Sequence, residues 1–351
     1  MRKVLVIFGG VSPEHEVSLM SCASLLKNID RTKNEIIELG ITKDGRFLYT
    51  NADAQSVKSG NWVNEENYPA FISTDRTDRA LYVKKDGGFE RKEFDLAFPM
   101  LHGENGEDGR LQGLLELADI PFVGPGAAAS ANSMDKSLTK VVLERAGIPQ
   151  ARYLVFLRAK YDKDAAAKAV EEKFTYPVFV KPASTGSSCG VSKVTDRNEL
   201  WKAMDYAFRF DRKLLVEEYI AGKEVEVAVL GDTPTFASVC GQIAPSAEFY
   251  DYEAKYNDPD SKLYIPAHID EKQSEAIRQT AIKVFETLEC KGHSRVDFFA
   301  LDDGSFLLNE INTLPGFTDI SMFPKLMMFT KGINYAELLE IMMEIAERDA
   351  K

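Results

Sequence analysis

Short apolar runs of strand length alternate with amphipathic runs of helix length along nearly all of the 351 residues. No other feature constrains the fold as strongly, because strands separated by helices build α/β layers rather than a bundle or a sandwich. Residues 3–8 form the first apolar run, closed by Gly9-Gly10. Residues 14–27 then place Val17, Met20, Ser24 and Lys27 on one helical face, with Leu19, Ala23 and Leu26 beside it. Residues 34–41 form a second strand, so the opening predicts a small parallel sheet with helices on its faces. Further strands are expected at 96–100, 153–157, 177–181, 191–194, 214–218, 224–230, 236–243, 295–301 and 306–311. Helices are expected at 110–118, 135–146, 164–173, 198–208, 271–288 and 335–347. Residues 46–93 read as a turn-rich excursion with short strands and a hairpin at 84–89. A Pro/Gly break at 121–126 and the pair Ala221-Gly222 divide the chain into three units.

Composition narrows the function classes. Lys and Arg number 43 against 55 Asp and Glu, a net charge of −12. A general nucleic-acid binder needs a basic footprint, which this balance opposes. The hydrophobic fraction of 44% excludes a disordered chain. No apolar run approaches the roughly 18–20 residues that span a bilayer, so no membrane partner is expected. Arg2 and Lys3 precede an apolar stretch too short for a signal peptide, and a cytoplasmic location follows as the default. Cys22, Cys189, Cys240 and Cys290 lie far apart, which supports neither a disulfide framework nor a zinc site.

Several loops leave predicted strands where α/β sheets hold ligands. Gly9-Gly10-Val11-Ser12-Pro13-Glu14 joins the first strand to the first helix, where backbone N–H groups can hold an anion, or where a plain tight turn suffices. His102 follows the strand at 96–100, as a ligand contact or a turn histidine. The segment from Lys181 through Ala183-Ser184-Thr185-Gly186-Ser187-Ser188-Cys189-Gly190 is small and hydroxyl-rich, suited to close approach to phosphate, with Lys181 supplying charge. It is no Walker A loop. Arg295-Val296-Asp297 and Asn309-Glu310-Ile311-Asn312 fall on adjacent strands joined by Asp302-Asp303-Gly304. Glu310 and Asn312 share a face, and Asp297 can face them. Two carboxylates and an amide oxygen suit Mg²⁺; a solvated acidic face with an ion pair is the simpler reading. Phe249-Tyr250-Asp251-Tyr252-Glu253-Ala254-Lys255-Tyr256 lies in a long loop that reads as a lid. Gly124-Pro125-Gly126-Ala127-Ala128-Ala129 formally matches a dinucleotide-binding turn, but Pro125 stiffens it and Glu144 falls inside a helix. A nicotinamide-dependent oxidoreductase built on that turn leaves Asp297, Glu310 and Asn312 without a task. A non-catalytic nucleotide binder has no use for both metal ligands and a lid.

The stretches GGVSPEHEVSL, LHGENGEDGRLQG, GPGAAASANSMDK, VKPASTGSSCGVSKV, EEYIAGKEVEVAVLG, FYDYEAKY, GHSRVDFF and NEINTLPGFTDISMFP together resemble, in order and spacing, the D-alanine–D-alanine ligases of the ATP-grasp superfamily. The resemblance implies a three-domain α/β ATP-grasp architecture with a preATP-grasp N-terminal α/β domain. Its parts would be residues 1–124, a central domain at 125–222, and a C-terminal domain at 223–351 with a lid loop at 245–262. It implies ligation of two D-alanines through a D-alanyl phosphate, with ADP and phosphate released. It further implies ATP and two Mg²⁺ (Mn²⁺ as an alternative), a homodimer, and a place in peptidoglycan precursor synthesis.

Site roles carry over by motif. Glu14 would bind the first D-alanine, with Ser187 and Tyr256 completing a hydrogen-bonded triad and His102 nearby. Lys136, Lys181 and Lys255 would contact ATP phosphates. Glu217 and the backbone of Glu218, Tyr219 and Ile220 would read adenine, and Glu224 the ribose. Asp297, Glu310 and Asn312 would hold the metals. Arg295 and the Gly316 N–H would form the oxyanion site, and Ser321 and Met322 would fix the second substrate's carboxylate. Tyr256 favours an amino acid over D-lactate as that substrate, while D-serine stays open. The Ala183-Ser184-Thr185 tip replaces charged residues of shorter members.

Overall fold

The computed structural model describes residues 1–231, 233–244 and 262–349. Three sheets follow one another along the chain. The first has seven strands: β1 (Arg2–Gly9), β2 (Asn34–Ile41), β3 (Phe47–Thr50), β4 (Tyr68–Ile72), β5 (Ala80–Lys85), β6 (Gly88–Glu93) and β7 (Leu96–Leu101). Their order is β6-β5-β4-β3-β2-β1-β7. The expected parallel sheet exists only at β2-β1-β7. The excursion extends it by four antiparallel strands, ending in the β5–β6 hairpin where Lys84 faces Phe89.

Helix α1 (His15–Asn28) connects β1 to β2 and buries Val17, Cys22, Leu25 and Leu26. Glu14, the residue before it, makes no side-chain cap. The short α2 (Ala54–Ser59) is capped by Asp53. After β7 come α3 (Arg110–Leu117), α4 (Ala127–Met134) and α5 (Lys136–Arg145). The sequence pattern missed α4. Its run Ala127-Ala128-Ala129-Ser130-Ala131 has high helix propensity but too few large apolar residues to show a period. Asp135 divides the two helices and caps α5 by accepting from the N–H groups of Ser137 (3.0 Å) and Leu138 (3.3 Å).

The second sheet is wholly antiparallel, β8 (Tyr153–Leu157), β9 (Val178–Pro182), β10 (Ser192–Val194) and β11 (Lys213–Glu218), in the order β10-β9-β11-β8. Helices α6 (Lys163–Lys173) and α7 (Arg197–Ala207) cover it, and Val170, Val178, Val180, Leu200, Met204 and Val216 form a core drawn from this unit alone.

The third sheet comprises β12 (Lys223–Leu230), β13 (Phe236–Ala237), β14 (Gly241–Ala244), β15 (Lys262–Tyr264), β16 (His293–Ala300) and β17 (Phe306–Asn312). One strand was expected at 236–243; two form. Between them Ser238 turns its hydroxyl to the Ala228 N–H, and the Val239 N–H finds Thr330 instead of a ladder partner. Helix α8 (Glu271–Thr287) packs on β12 and β16. Helix α9 (Met322–Lys331) was not expected, and it carries Pro324 near its start. In the first turn a proline removes no helical hydrogen bond. Helix α10 (Tyr335–Asp349) does not stay with its own sheet. It packs on β7 and α1, and Arg2 binds its Glu340 (2.9 Å) and Glu347 (2.7 Å). One core therefore joins Val4, Phe8, Leu25 and Phe98 of the first sheet to Phe317, Phe323, Leu339 and Met343 of the last unit. Among the described residues no helix is long and apolar enough to cross a membrane.

Candidate active site

Register on the third sheet brings three carboxylates into one row. Glu226 on β12 lies opposite Asp297 on β16, which lies opposite Glu310 on β17. Arg295 lies opposite Asn312, two residues along. The guanidinium of Arg295 grips Asp297 with two bonds of 2.8 and 2.7 Å and reaches Glu226 at 3.2 Å. Burial works against that charge, yet Asp297 and Glu226 hold the arginine protonated. Glu310 and Asn312 line the cavity in front of the sheet. Their oxygens with Asp297 make a hard-donor set fitting Mg²⁺. The set is two carboxylates and an amide; among the described residues no cluster of three or more His, Cys, Asp or Glu is arranged to hold a metal. Glu226 was missed. The alternation Glu224-Val225-Glu226-Val227 shows that the two glutamates share a face, but only the register shows what that face meets.

Facing this row is Glu14, 7% exposed. Instead of capping α1, its carboxylate accepts a hydrogen bond from Ser187. Two glycines permit the approach. A Cβ on Gly186 would lie 2.7 Å from Glu14 Oε2, and one on Gly103 2.4 Å from it. Ser187 and Ser188 stand at φ 48° and 57°, a left-handed turn that aims the tip of this loop at Glu14. Tyr256 and Lys255, with residues 245–261 of the expected lid, lie outside the described residues.

His102 lines the same cavity from β7's carboxyl end. Its Nδ1 is 2.9 Å from the Leu314 carbonyl, and its Nε2 is 3.0 Å from Ser21 Oγ. Ser21 Oγ also accepts from the Phe317 N–H at 3.2 Å. A neutral ring with its proton on Nδ1 satisfies the whole chain. Burial opposes a second proton, but Glu107, at 3.6 Å, leaves the imidazole above its ordinary pKa. Ser21 and Glu107, both unpredicted, thus tie α1 and the loop at 103–109 to the loop carrying Gly316. Gly316, Ser321 and Met322 also line this cavity. Ser321 Oγ accepts from the Thr318 N–H at 3.0 Å.

A larger cleft, about 380 Å³, opens between the second and third sheets. Phe179, Lys181, Glu217, Glu218, Tyr219, Ile220 and Glu224 line it. The Glu218 carboxylate turns to Arg152, and the Glu218 N–H donates to the Arg152 carbonyl at 3.2 Å. Glu217 is nearly inaccessible and sits between Lys181 (2.7 Å) and Lys140 (2.9 Å). Burial pushes its pKa up, but the two ammoniums overcome it and hold the carboxyl down at about 2. Lys181 is likewise buried, which lowers its pKa, and Glu217 first among its partners raises it above the ordinary value.

The two cavities share a wall made of Lys136, Thr185, Gly186, Ser187, Ile243 and Glu310. Lys136 is fixed there by its α5 position, its Nζ 2.9 Å from the Thr185 carbonyl and 3.6 Å from Glu310. The helix start that carries it is pinned by the Lys213–Asp135 ion pair.

The family model for the D-ala D-ala ligase N-terminus matches residues 3–125, and that for the D-ala D-ala ligase C-terminus matches residues 142–344. The chain is 49% identical to a D-alanine–D-alanine ligase of Acetivibrio thermocellus, over 98% of this chain and 96% of the relative. It is 46% identical to that of Caldicellulosiruptor bescii, over 98% and 94%. Among solved structures it resembles the VanG D-Ala:D-Ser ligase from Enterococcus faecalis, with a TM-score of 0.89, 37% identity, and coverage of 98% and 99%. The D-alanine–D-alanine ligase from Coxiella burnetii gives a TM-score of 0.87, 33% identity, and coverage of 99% and 94%.

Proposed function

The chain belongs to the D-alanine–D-alanine ligase family, and from that premise we propose that it joins two D-alanines at the shared wall of its two cavities, with ATP in the larger one. The observation that carries this reading is the wall itself. A nucleotide along Glu217, the Glu218–Ile220 backbone and Glu224 points its phosphates at Lys181 and Lys136. An amino acid on Glu14 in the smaller cavity approaches the same point from the other side.

Glu14 receives the ammonium of the first D-alanine and leaves its carboxylate free to attack. One carboxylate oxygen bonds to the γ-phosphorus as the bond to the β-γ bridging oxygen breaks, giving D-alanyl phosphate and ADP. Lys136 and Lys181, with Lys255 from the segment at 245–262, neutralise the phosphoryl oxygens in flight. Asp297, Glu310 and Asn312 would hold two Mg²⁺, which supply further charge neutralisation on the phosphates when bound. The second D-alanine rests its carboxylate on Ser321 and the start of α9 near Met322. Its neutral amine attacks the acyl carbon, and the oxyanion falls to Arg295 and the Gly316 N–H. Collapse breaks the bond from the acyl carbon to the phosphate oxygen, phosphate leaves carrying the proton lost from the attacking nitrogen, and the dipeptide remains. His102 acts on this step through the loop at 314–317, whose carbonyl and N–H it and Ser21 hold. The Ser187–Glu14 bond latches the phosphate loop over the reacting groups, keeping water from the acyl phosphate.

We further read the protein as a cytoplasmic homodimer serving peptidoglycan precursor synthesis. The test is ADP release with Mg-ATP, with products identified by mass, for D-alanine, L-alanine, and D-alanine with D-serine or D-lactate. D-alanyl-D-alanine from D-alanine alone is the expected result. Turnover only with D-serine would move the second subsite to the chemistry of the Enterococcus faecalis relative. No ADP with any pair would remove the assignment.

A further inference from the structure

Lys140 is a buried cation that the phosphoryl-transfer chemistry does not use. It projects from α5, its side chain 5% exposed, with Nζ 2.9 Å from Glu217 Oε1 and 3.4 Å from the Ala151 carbonyl. The Tyr153 ring lies 5.3 Å from the same nitrogen. Lys181 takes the other oxygen of Glu217 and lines the nucleotide cleft, whereas Lys140 does not line it. One ammonium therefore stands at the ligand's side of Glu217 and one behind it. A carboxylate oxygen accepts about two hydrogen bonds. Each oxygen of Glu217 spends one acceptor direction on a lysine and keeps another.

We propose that Lys140 is a positioning residue for purine recognition: it holds Glu217 as a fixed, charged acceptor, so the cleft prefers a base with an exocyclic amino group to one with a carbonyl at that edge. This rests on the reading that the larger cavity takes ATP. A charged acceptor attracts an amino N–H and repels a carbonyl oxygen, so the sign of the Glu217 charge sets the preference. With Lys140 gone, a carboxylate buried against one remaining cation either takes up a proton or swings toward Lys181. Protonated, it donates to the carbonyl base it formerly rejected. The other groups near this pair are Tyr153 beside Glu217, Glu218 toward Lys140, and Glu310 and Glu224 toward Lys181. No cation among them replaces Lys140.

The experiment measures displacement of a fluorescent ATP analogue by ATP and by inosine triphosphate, in Mg²⁺ buffer without D-alanine. The two nucleotides differ along one purine edge: ATP carries an amino group beside an unprotonated ring nitrogen, and inosine triphosphate a carbonyl beside a protonated one. Wild type, Lys140→Met, Lys140→Gln and Lys140→Arg are compared, each checked for cooperative thermal unfolding. The ATP-over-ITP preference should fall about tenfold in the two neutral variants and return in Lys140→Arg. Lys140→Gln keeps a polar head against Ala151, so it reports if Lys140→Met does not fold. An unchanged preference in a folded neutral variant, or equal loss of both nucleotides, would overturn the proposal in favour of a merely structural pair. Unfolding of both neutral variants would do the same. Wild type that binds neither nucleotide would instead strike the ATP reading itself.

Discussion

Glu217 and Glu38 are buried to nearly the same degree, 4% and 7% exposed, and their surroundings drive them in opposite directions. Glu217, in the cleft, has an ammonium on each oxygen and stays ionised down to about pH 2. Glu38, inside the first sheet, has an oxygen without a hydrogen-bond partner among the described residues. Burial pushes its pKa up to about 7, with Arg31 easing the shift and Asp53 and Glu65 adding to it. The histidines divide the same way. His102 at the cavity has a partner on both nitrogens, while His293 has none on either among the described residues and lies against Phe317 and Phe323, its pKa driven down to about 3 by burial. Burial alone fixes neither the charge nor the cost of an ionisable group. Partners decide both, and Glu217 and His102 at the cavities have theirs.

The contrast can be broken from the cleft side first. Glu310→Gln removes a charge that the proposed function sets at the phosphates, so turnover should fall about a thousandfold while the melting temperature hardly moves. A fall in stability to match would mean Glu310 belongs to the scaffold. Lys181→Met strips one of two cations from Glu217 and should destabilise by about 3 kcal/mol in denaturant titration, because a buried charge is left half-compensated. On the scaffold side the sign reverses. Glu38 has a folded pKa above its unfolded value, so its penalty develops as pH rises from 4.5 toward 7 and is complete beyond. Glu38→Gln should stabilise by about 2 kcal/mol at pH 8 and by almost nothing at pH 4. Equal gains at both pH values would refute the linkage. His293 has a folded pKa below its unfolded value, so it is neutral in both states above about 6.5 and withdraws stability as pH falls from 6.5 toward 3. His293→Leu should flatten that acid limb, a difference of about 1–2 kcal/mol at pH 5 in urea titrations. Parallel acid limbs would locate the sensitivity elsewhere.

The same division governs what the sequence discloses. Local signals placed most strands and helices, the Gly186-Ser187 loop and the Asp297/Glu310/Asn312 set, because period, turn chemistry and adjacency are written along the chain. What stayed hidden comes from pairing between distant segments. Lys140 looks like any helical lysine until β11 brings Glu217 against it, 77 residues further along the sequence. Glu226 looks like the polar face of a strand until β16 supplies Arg295. Ser21 lies inside an apolar helix face, and only the fold shows that it relays between His102 and Phe317. Helices α4 and α9 escaped for a local reason, since small residues and an early proline mask a period without preventing a helix.

The core shared by the first and last units also sets a schedule for the nascent chain. Val4, Phe8 and Phe98 reach the solvent long before Leu339 and Met343 leave the ribosome, and Arg2 has no acidic partner until Glu340 and Glu347 appear. The four-stranded middle unit, with its self-contained core, can close while synthesis continues. The first sheet must wait with part of its apolar surface uncovered. Order of synthesis and order of completion are therefore expected to differ: the middle can complete its core early, and the shared core of the first unit is sealed only by the last helix.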